Sequence, residues 1–217
     1  MNRQILESVV DESLRRLDNG EAIALPLPSP LAYCIVAAAP EAINKAKQRP
    51  ATQEVASWIT NATTILDDLE LSSSNQRRLP WLLHVEGLTV LASPRSTQPL
   101  PNHWRPSHRN GKVLFFGVRC PHLDWITRCN RPLYVSSANR TGMPSAVTAS
   151  EVRAQLPTGT FIVNGDDLRD PFRKHGSTTM VQLSNGPLQV VRHGIHNATF
   201  ESGEAWVTDL LSRMPNT

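Results

Sequence analysis

The chain has 217 residues, which suits one domain, or one domain plus a small appendage, with a full hydrophobic core. Its net charge is +3, from 22 Lys and Arg against 19 Asp and Glu. No block of like charges occurs, so this charge permits an anionic ligand but does not require nucleic acid. No apolar run could cross a bilayer and the N-terminus has no signal-peptide core, so we expect a cytoplasmic protein with no membrane partner.

The cysteines and histidines of the sequence form no motif typical of a metal site or a disulfide framework. Cys34, Cys120 and Cys129 are widely spaced with no Cys-x-x-Cys pair, so we expect reduced thiols rather than a disulfide framework or a zinc site. The seven histidines include no His-Glu-x-x-His motif. We therefore expect no metal site built from protein side chains.

The periodicity of apolar residues predicts a series of short helices and strands. In chain order we predict a helix over 4–18, a strand over 21–27, a helix over 40–47, a strand over 55–59, a helix over 62–79 interrupted at 72–74, strands over 88–92 and 112–119, a helix over 122–129, a strand over 133–137, a helix over 148–156, and strands over 160–164, 178–183 and 188–192. Residues 93–111 are rich in Pro, Ser, Asn and Arg and are predicted to form a long loop.

Local signals support several of these boundaries. Gly20 closes the first helix and Pro40 opens the second, as their backbone preferences favour. Thr148 and Glu151 have the spacing of a capping box, and Ser-Asn-Gly-Pro at 184–187 is typical of a hairpin turn.

Helices and strands alternate irregularly, which predicts an α/β fold with a mixed, twisted sheet flanked by helices. We place one domain over residues 1–195 and an amphipathic C-terminal tail over residues 196–217. The tail carries Trp206, Leu210 and Leu211, and it either packs back on the domain or serves a partner.

Two cations stand close together in Lys47-Gln48-Arg49-Pro50. Pro50 favours an extended Arg49, so we predict that Lys47 and Arg49 leave one face of an extended segment just after a short helix. The compact charge of a lysine ammonium beside the planar guanidinium of an arginine suits a polyphosphate. The alternative is a solvated basic turn that binds nothing.

Five stretches in a fixed order carry a family resemblance. They are Gly20–Ile35 with its Pro-Ser-Pro-Leu-Ala-Tyr-Cys-Ile segment, Lys47–Pro50, Gly117–His122, Pro132–Gly142 with Ser-Ser-Ala-Asn, and Gly176–Val181 followed by Val191–Gly194. Over about residues 5–195 the chain resembles the YrdC family of threonylcarbamoyl-AMP synthases. The resemblance implies an open twisted sheet around a positively charged cavity.

The resemblance also implies a reaction and its site. Threonine, or another small amino acid, and bicarbonate would give an N-carboxylated amine that attacks ATP, releasing pyrophosphate and leaving a carbamoyl adenylate for tRNA modification. The family's Lys-x-Arg and Ser-x-Asn residues map onto Lys47, Arg49, Ser137 and Asn139, which would be catalytic and hold phosphates. Mg²⁺ is expected on the pyrophosphate. Ser-Ser-Ala-Asn has the simpler alternative of capping a turn.

Further contacts follow from the same resemblance. Ser177, Thr179 and Arg192 would bind nucleotide or phosphate, although the first two are also plain strand formers and Arg192 could be solvated. The remaining residues line the expected substrate wall: Ser29, Tyr33, Arg119 and Ser136. Tyr33 has the alternative of a core aromatic, and Arg119 that of a structural ion pair.

The first motif departs from the family pattern Pro-Thr-Asp-Thr-Val-Tyr-Gly-Leu. Ser29 keeps a hydroxyl, but Pro30 replaces the acidic residue, Leu31 the second hydroxyl and Cys34 the glycine. An enzyme discriminates between substrates by pairing their polar groups with buried polar groups of its own. We therefore expect these changes to alter which amine the site accepts more than they alter phosphate binding.

Three functions therefore remain open. The first is the synthase reaction, and the second is a specialised paralogue that makes or uses a carbamoyl adenylate for another amine or acceptor. The third is a non-catalytic protein that binds RNA or nucleotide. Besides ATP, a small amino acid and bicarbonate, the expected partners include tRNA or tRNA-modification proteins.

Overall fold

The structure is a computed structural model that describes residues 3–214, with side chains described from residue 7 onward. The α-helices span Arg3–Asp18 (α1), Pro40–Ala46 (α2), Ser73–His84 (α3), Ala149–Gln155 (α4) and Gly203–Ser212 (α5). The strands span Ile23–Leu25 (β1), Cys34–Ala37 (β2), Ala56–Trp58 (β3), Thr89–Ala92 (β4), His108–Arg109 (β5), Lys112–Phe116 (β6), Leu133–Ser137 (β7), Phe161–Ile162 (β8), Met180–Leu183 (β9) and Gln189–Arg192 (β10). Short 3-10 helices span Ala62–Ile65, Asn102–Ser107, Pro121–Arg128, Asp166–Leu168 and Ile195–Asn197.

The chain forms two compact units. The first combines the chain up to Val55 with residues 120–177, and the second combines residues 56–119 with the chain from Thr178 onward. Each unit is therefore assembled from two separated stretches of sequence, so residues far apart in the chain meet within one unit.

In the first unit the strands lie in the order β8-β1-β2-β7. β1 is antiparallel to β2 and parallel to β8, and β2 is antiparallel to β7. All residues of β1 and β2 are buried, as expected for strands covered on both faces. The register places Cys34 opposite Ser137, so the end of β7 lies beside the altered first motif.

The second unit has the strand order β10-β9-β4-β6-β3, with β5 beside β6. β4 is antiparallel to β6 and parallel to β9, and β3 is parallel to β6. β9 and β10 pair antiparallel, which confirms the predicted hairpin. Mixed sheets flanked by helices in both units confirm the predicted α/β class.

The predicted helix over 62–79 is wrong in its middle. A 3-10 helix ends at Ile65, and α3 begins only at Ser73. The Ser72 hydroxyl accepts a hydrogen bond from the backbone N–H of Asn75, so the serine triplet starts a helix instead of interrupting one. Serine favours this N-cap position because its oxygen satisfies a free amide of the first turn.

The predicted loop over 93–111 is more ordered than its composition suggested. It contains the Asn102–Ser107 3-10 helix and β5. Trp104 is 1% exposed and packs edge-to-face on Phe115, with 5.0 Å between the ring centroids. This aromatic contact ties the segment to the core of the second unit. The predicted helix over 122–129 is a 3-10 helix, Pro121–Arg128.

The C-terminal tail forms α5, and its Trp206 and Leu210 side chains are buried in the core of the second unit. Of the two predicted alternatives, the tail therefore packs back on its own domain. Within residues 3–214, no helix combines the length and the apolar character that crossing a membrane would need.

Candidate active site

The basic segment after α2 forms a helix C-terminus that closes with one residue in the left-handed conformation. The N–H of Arg49 donates to the carbonyl of Asn44 (3.0 Å), and the N–H of Gln48 donates to the carbonyl of Lys45 (3.1 Å). Gln48 has a positive φ of 52°. These features define a Schellman motif, which satisfies the last free carbonyls of a helix.

The predicted extended segment is therefore wrong at Lys47 and Gln48. Lys47 is the C-cap residue of α2, and the left-handed Gln48 turns the chain before Arg49. The helix α1 ends in the same way, with Gly20 at φ 75° in the equivalent place. The sequence signal was missed because this position usually carries Gly, and here it carries Gln.

The Lys47 side chain is 3% exposed, and its ammonium meets three oxygens. Nζ donates to the carbonyl of Ser137 (2.5 Å), the carbonyl of Asn139 (2.6 Å) and Oδ1 of Asn139 (3.1 Å). Because an ammonium has three hydrogens, these acceptors match its donor capacity. Burial, and after it the positive charge of Arg49, lowers the pKa of Lys47 to about 7.

The turn after β7 is held by its own side chains as well. The Ser137 hydroxyl donates to Oδ1 of Asn139 (2.5 Å), and Nδ2 of Asn139 donates to the carbonyls of Arg140 (3.0 Å) and Met143 (2.6 Å). The Thr141 hydroxyl donates to the carbonyl of Lys47 (3.2 Å). Lys47 thus forms one hydrogen-bonded group with Ser137 and Asn139, which follow it by 90 and 92 residues in the chain.

Arg49 is half-buried beside this group and is oriented by Asn44. Its Nε donates to Oδ1 of Asn44 (2.7 Å), and Nη2 donates to the carbonyl of Glu54 (3.4 Å). The fully buried Asn44 uses its Nδ2 to hold the carbonyls of Ala51 and Gln53, each at 2.8 Å. Sequence reasoning missed Asn44, although an amide on the buried face of a short helix is a usable signal.

The predicted substrate residues of the first motif have partners of their own. The Ser29 hydroxyl accepts from the N–H of Asp170 (3.1 Å) and lies 2.8 Å from Nε2 of His175. The Tyr33 hydroxyl donates to Oδ1 of Asp166 (2.6 Å) and accepts from the N–H of Gly165 (3.0 Å). Burial, and after it the bond to Asp166, raises the pKa of Tyr33, so this residue has the contacts of a satisfied core aromatic.

Two other serines of the first unit were predicted to contact ligands. Ser136 lies on β7 opposite Ile35 and is half-buried. The Ser177 hydroxyl lies 2.5 Å from the Ser145 hydroxyl. Both stay predictions as ligand residues.

Arg119, Thr179 and Arg192 belong to the second unit. Arg119 is exposed, and among the described residues it forms no ion pair. The buried Thr179 donates its hydroxyl to Oδ1 of Asn197 (3.1 Å), and Nη2 of Arg192 donates to the carbonyl of Thr178 (3.1 Å). These contacts account structurally for Thr179 and Arg192, and the ligand roles of all three residues stay predictions.

Arg119 acts on a neighbouring histidine in the same unit. Its N–H donates to the carbonyl of His84 (3.3 Å), and Nε2 of His84 accepts from the N–H of Ala62 (3.1 Å). Burial, and after it the charge of Arg119, lowers the pKa of His84 to about 4. His84 is therefore neutral at pH 7.

Comparisons with known proteins place this arrangement in a family. A family model of the Sua5, YciO and YrdC proteins, described as telomere recombination, matches residues 17–194. No curated protein matches the chain.

Three solved structures show the same fold at low identity. P. abyssi Sua5 complexed with L-threonine has 21% identity and a TM-score of 0.58 over 85% of this chain and 54% of that chain. E. coli YciO has 14% identity and a TM-score of 0.63 over 87% and 90%. Full-length HypF in its phosphate- and nucleotide-bound form has 14% identity and a TM-score of 0.64 over 87% and 29%.

The chain thus spans about half the length of the Sua5 structure that it matches. The family model covers most of the chain, and it includes the Lys47, Ser137 and Asn139 group as well as Arg49. The protein belongs to the Sua5/YciO/YrdC family.

Proposed function

We propose that the protein is an ATP-dependent enzyme that forms a carbamoyl adenylate, with threonylcarbamoyl-AMP as the first product to test. The observation that carries this proposal is the buried Lys47 ammonium bound to Ser137 and Asn139 in a chain of this family. The Sua5 structure complexed with L-threonine and the nucleotide-bound HypF structure support amino-acid and nucleotide ligands.

The reaction requires two steps. The amine nitrogen bonds to CO₂ derived from bicarbonate and loses a proton. An oxygen of the resulting N-carboxylate then bonds to the α-phosphorus of ATP, while the bond from that phosphorus to the bridging oxygen breaks and pyrophosphate leaves. Negative charge grows on the phosphate oxygens, so the protein contributes mainly position and positive charge.

The described residues suit that task in different ways. The Arg49 guanidinium, held at Nε by Asn44, would bind phosphate oxygens with its outer nitrogens. All three ammonium hydrogens of Lys47 are directed at protein oxygens. Lys47 would therefore either release one of these oxygens to bind a phosphate or hold the Ser137–Asn139 turn in place for the nucleotide. Both roles require the ammonium form.

Magnesium would accompany the triphosphate. Among the described residues no cluster of three or more His, Cys, Asp or Glu side chains could hold a metal ion. The carbonyl and amide oxygens of the Lys47 group already accept hydrogen bonds from the ammonium, so a hydrated Mg²⁺ would be held chiefly by the phosphates of the nucleotide. When bound there, the ion would offset charge on the leaving pyrophosphate.

The test is a reaction with ATP, bicarbonate and a panel of amino acids, with pyrophosphate measured by a coupled assay and adenylates by mass spectrometry. We expect pyrophosphate and an adenylate that carries the added amine and CO₂. Folded protein that yields neither with any amine would overturn the proposal. In that case tight, salt-sensitive tRNA binding would favour a non-catalytic RNA-binding protein.

A second candidate is a paralogue that serves another amine or acceptor. It is favoured by the first motif, where Pro30 and Leu31 offer no polar side chain and the Ser29 hydroxyl is engaged by Asp170 and His175. Adenylate formation with an amine other than threonine, and failure to replace a tRNA-modifying synthase in cells, would support this candidate over the first. Transfer of the product to tRNA with partner proteins belongs to the first candidate alone.

A further inference from the structure

A serine hydroxyl and a histidine ring meet in the first unit. The Ser29 hydroxyl oxygen lies 2.8 Å from Nε2 of His175, although the two residues are 146 positions apart in the chain. Both residues are partly exposed, so a solute can reach them. A hydroxyl within hydrogen-bond distance of an imidazole is the arrangement that activates a serine as a nucleophile.

Backbone hydrogen bonds hold the two segments together. The N–H of Gly176 donates to the carbonyl of Pro30 (3.1 Å), and the N–H of Ala32 donates to the carbonyl of Gly176 (2.9 Å). The two segments thus form a parallel β-bridge at Gly176. The stretch after Ser29 is therefore fixed against the stretch after His175, and the contact between the side chains is built into the fold.

The other hydrogen bonds of the pair decide where its proton lies. The Ser29 oxygen accepts from the N–H of Asp170 (3.1 Å). The His175 ring also hydrogen-bonds to the backbone of Arg173. This bond assigns the ring N–H to Nδ1, because Nε2 faces the serine, and it leaves Nε2 as the acceptor for the Ser29 hydroxyl proton.

The surroundings of the ring keep it neutral and favour anions. Burial, and after it the positive charge of Arg169, lowers the pKa of His175 below its ordinary 6.5. The backbone bond at Arg173 and the charge of Asp170 act on this pKa in the opposite direction, and the charge of Arg173 adds to the lowering. At pH 7 the ring is mainly neutral and accepts a proton. Because two cations and one acid act on it, an anionic leaving group is favoured here.

We propose that Ser29 and His175 form an acyl-transfer site for activated acyl compounds with an anionic leaving group, with Ser29 as nucleophile and His175 as general base. In the first step Ser29 Oγ bonds to the acyl carbon, and its proton passes to Nε2 of His175. The bond from that carbon to the leaving-group oxygen breaks, and its electron pair departs with the leaving group. The imidazolium then releases its proton to solvent.

In the second step an acceptor removes the acyl group from the serine. The acceptor, water or an amine, bonds to the acyl carbon while its proton passes through His175 to Ser29 Oγ, and the bond between Oγ and the acyl carbon breaks. The carbamoyl adenylate of the proposed function is one donor of this class, with AMP as its leaving group, and this part of the inference rests on that function. An external ester or acyl phosphate has the same chemistry.

A fluorophosphonate probe tests the serine without either donor, since Oγ bonds to phosphorus and fluoride leaves. The full chain is incubated with the probe, and peptide mass spectrometry locates the adduct. We expect an adduct on Ser29, formed at a rate that rises with pH and levels off above the pKa of His175, below 6.5. A wild-type chain without an adduct on Ser29 would overturn the inference.

Three variants separate catalysis from structure. Ser29→Ala should abolish the adduct, and His175→Gln should slow its formation about 100-fold or more. The matched control is His122→Gln, because this partly exposed histidine of the same unit contacts the carbonyl of Pro26 (3.2 Å) instead of a hydroxyl. It should be labelled at the wild-type rate. Equal rates for the wild type and His175→Gln would refute the general base, and if a variant does not fold, the wild-type adduct and its pH profile decide.

Two further assays separate the donors. With ATP, bicarbonate and an amine, the wild type should release AMP after pyrophosphate, whereas Ser29→Ala should accumulate the adenylate; with a p-nitrophenyl ester, the wild type should show a burst of nitrophenol. Ester turnover at Ser29 without pyrophosphate release would remove the proposed function and keep the acyl-transfer site. Pyrophosphate release without an adduct on Ser29 would do the reverse. Turnover of neither donor would overturn the acyl-transfer role.

Discussion

Lys47 combines an almost complete loss of solvent contact with a formal positive charge. Burial, and after it the positive charge of Arg49, favours the neutral amine and lowers the pKa to about 7. An unfolded lysine titrates near its ordinary value of 10.5. Between these two values the unfolded chain binds one more proton than the folded chain at this position.

This difference predicts how stability depends on pH. Because the unfolded state binds more protons, the contribution of Lys47 to the free energy of unfolding should rise with pH from about 7 upward, by up to about 1.4 kcal/mol per unit. Urea unfolding of the wild type and of Lys47→Met at pH 7, 8 and 9 measures it. The wild type should gain stability relative to Lys47→Met across this series. Parallel curves would show that Lys47 titrates normally.

Arg49 gives a second prediction at the level of single residues. Its guanidinium is oriented by Asn44 and would offset charge on the transferring phosphorus, so Arg49→Ala should lower adenylate formation about 100-fold or more. The matched control is Lys45→Ala, which removes an exposed cation from the helix that precedes Arg49. A single-turnover assay with saturating ATP measures the chemical step. An unchanged rate in Arg49→Ala would contradict the phosphate role.

At the level of elements, two helices end with the same motif but with different residues. The left-handed position is Gly20 after α1 and Gln48 after α2. A residue with a Cβ pays about 1 kcal/mol or more for this conformation, and Gly avoids that cost. The α2 end therefore stores a small local strain directly between the two basic residues.

The pair allows a matched test of this strain. Gln48→Gly should raise the free energy of unfolding by about 0.5 kcal/mol, because relief of the left-handed strain exceeds the added freedom of the unfolded chain. Gly20→Ala should lower it by about 1 kcal/mol for the opposite reason. Denaturant unfolding of both variants measures the two shifts. A loss of stability in Gln48→Gly would show that the Gln48 side chain makes a compensating contact.

The same elements show which sequence signals could be read. Gly20, Pro40 and Thr148 marked real helix boundaries because each residue's backbone or capping preference agrees with its place. The serine triplet at 72–74 was misread because serine is compatible with both a break and an N-cap. Gln48 was misread because its conformation is imposed by the packing of Lys47 and Arg49 rather than by its own preference.

At the level of the whole molecule, the chain beyond the family match contributes to the core. The family model ends at residue 194, yet Trp206 of α5 is 1% exposed among the buried residues of the second unit. Trp206→Ala should therefore lower the free energy of unfolding by about 3–5 kcal/mol. Phe172→Ala, at a position that is 96% exposed, should cost less than about 1 kcal/mol. Thermal or urea unfolding measures both changes. Equally small losses of stability in the two variants would show that α5 contributes little to the stability of the fold.

The group of Lys47, Ser137 and Asn139 could be predicted from sequence because each residue lies in a motif with a recognisable pattern. Asn44 could not, since its role depends on which carbonyls the fold brings near it. Long-range packing, rather than local preference, places this residue beside Arg49.

Two of the three oxygens that receive the Lys47 ammonium belong to the peptide backbone, at positions 137 and 139. A substitution cannot remove a peptide oxygen. The contact between Lys47 and the turn therefore tolerates substitutions at positions 137 and 139, but it is lost when Lys47 is replaced. In a library of variants, positions 137 and 139 should accept more residue types for folding than position 47 does. An engineer who wishes to change the chemistry of the turn can therefore vary its side chains without losing its attachment.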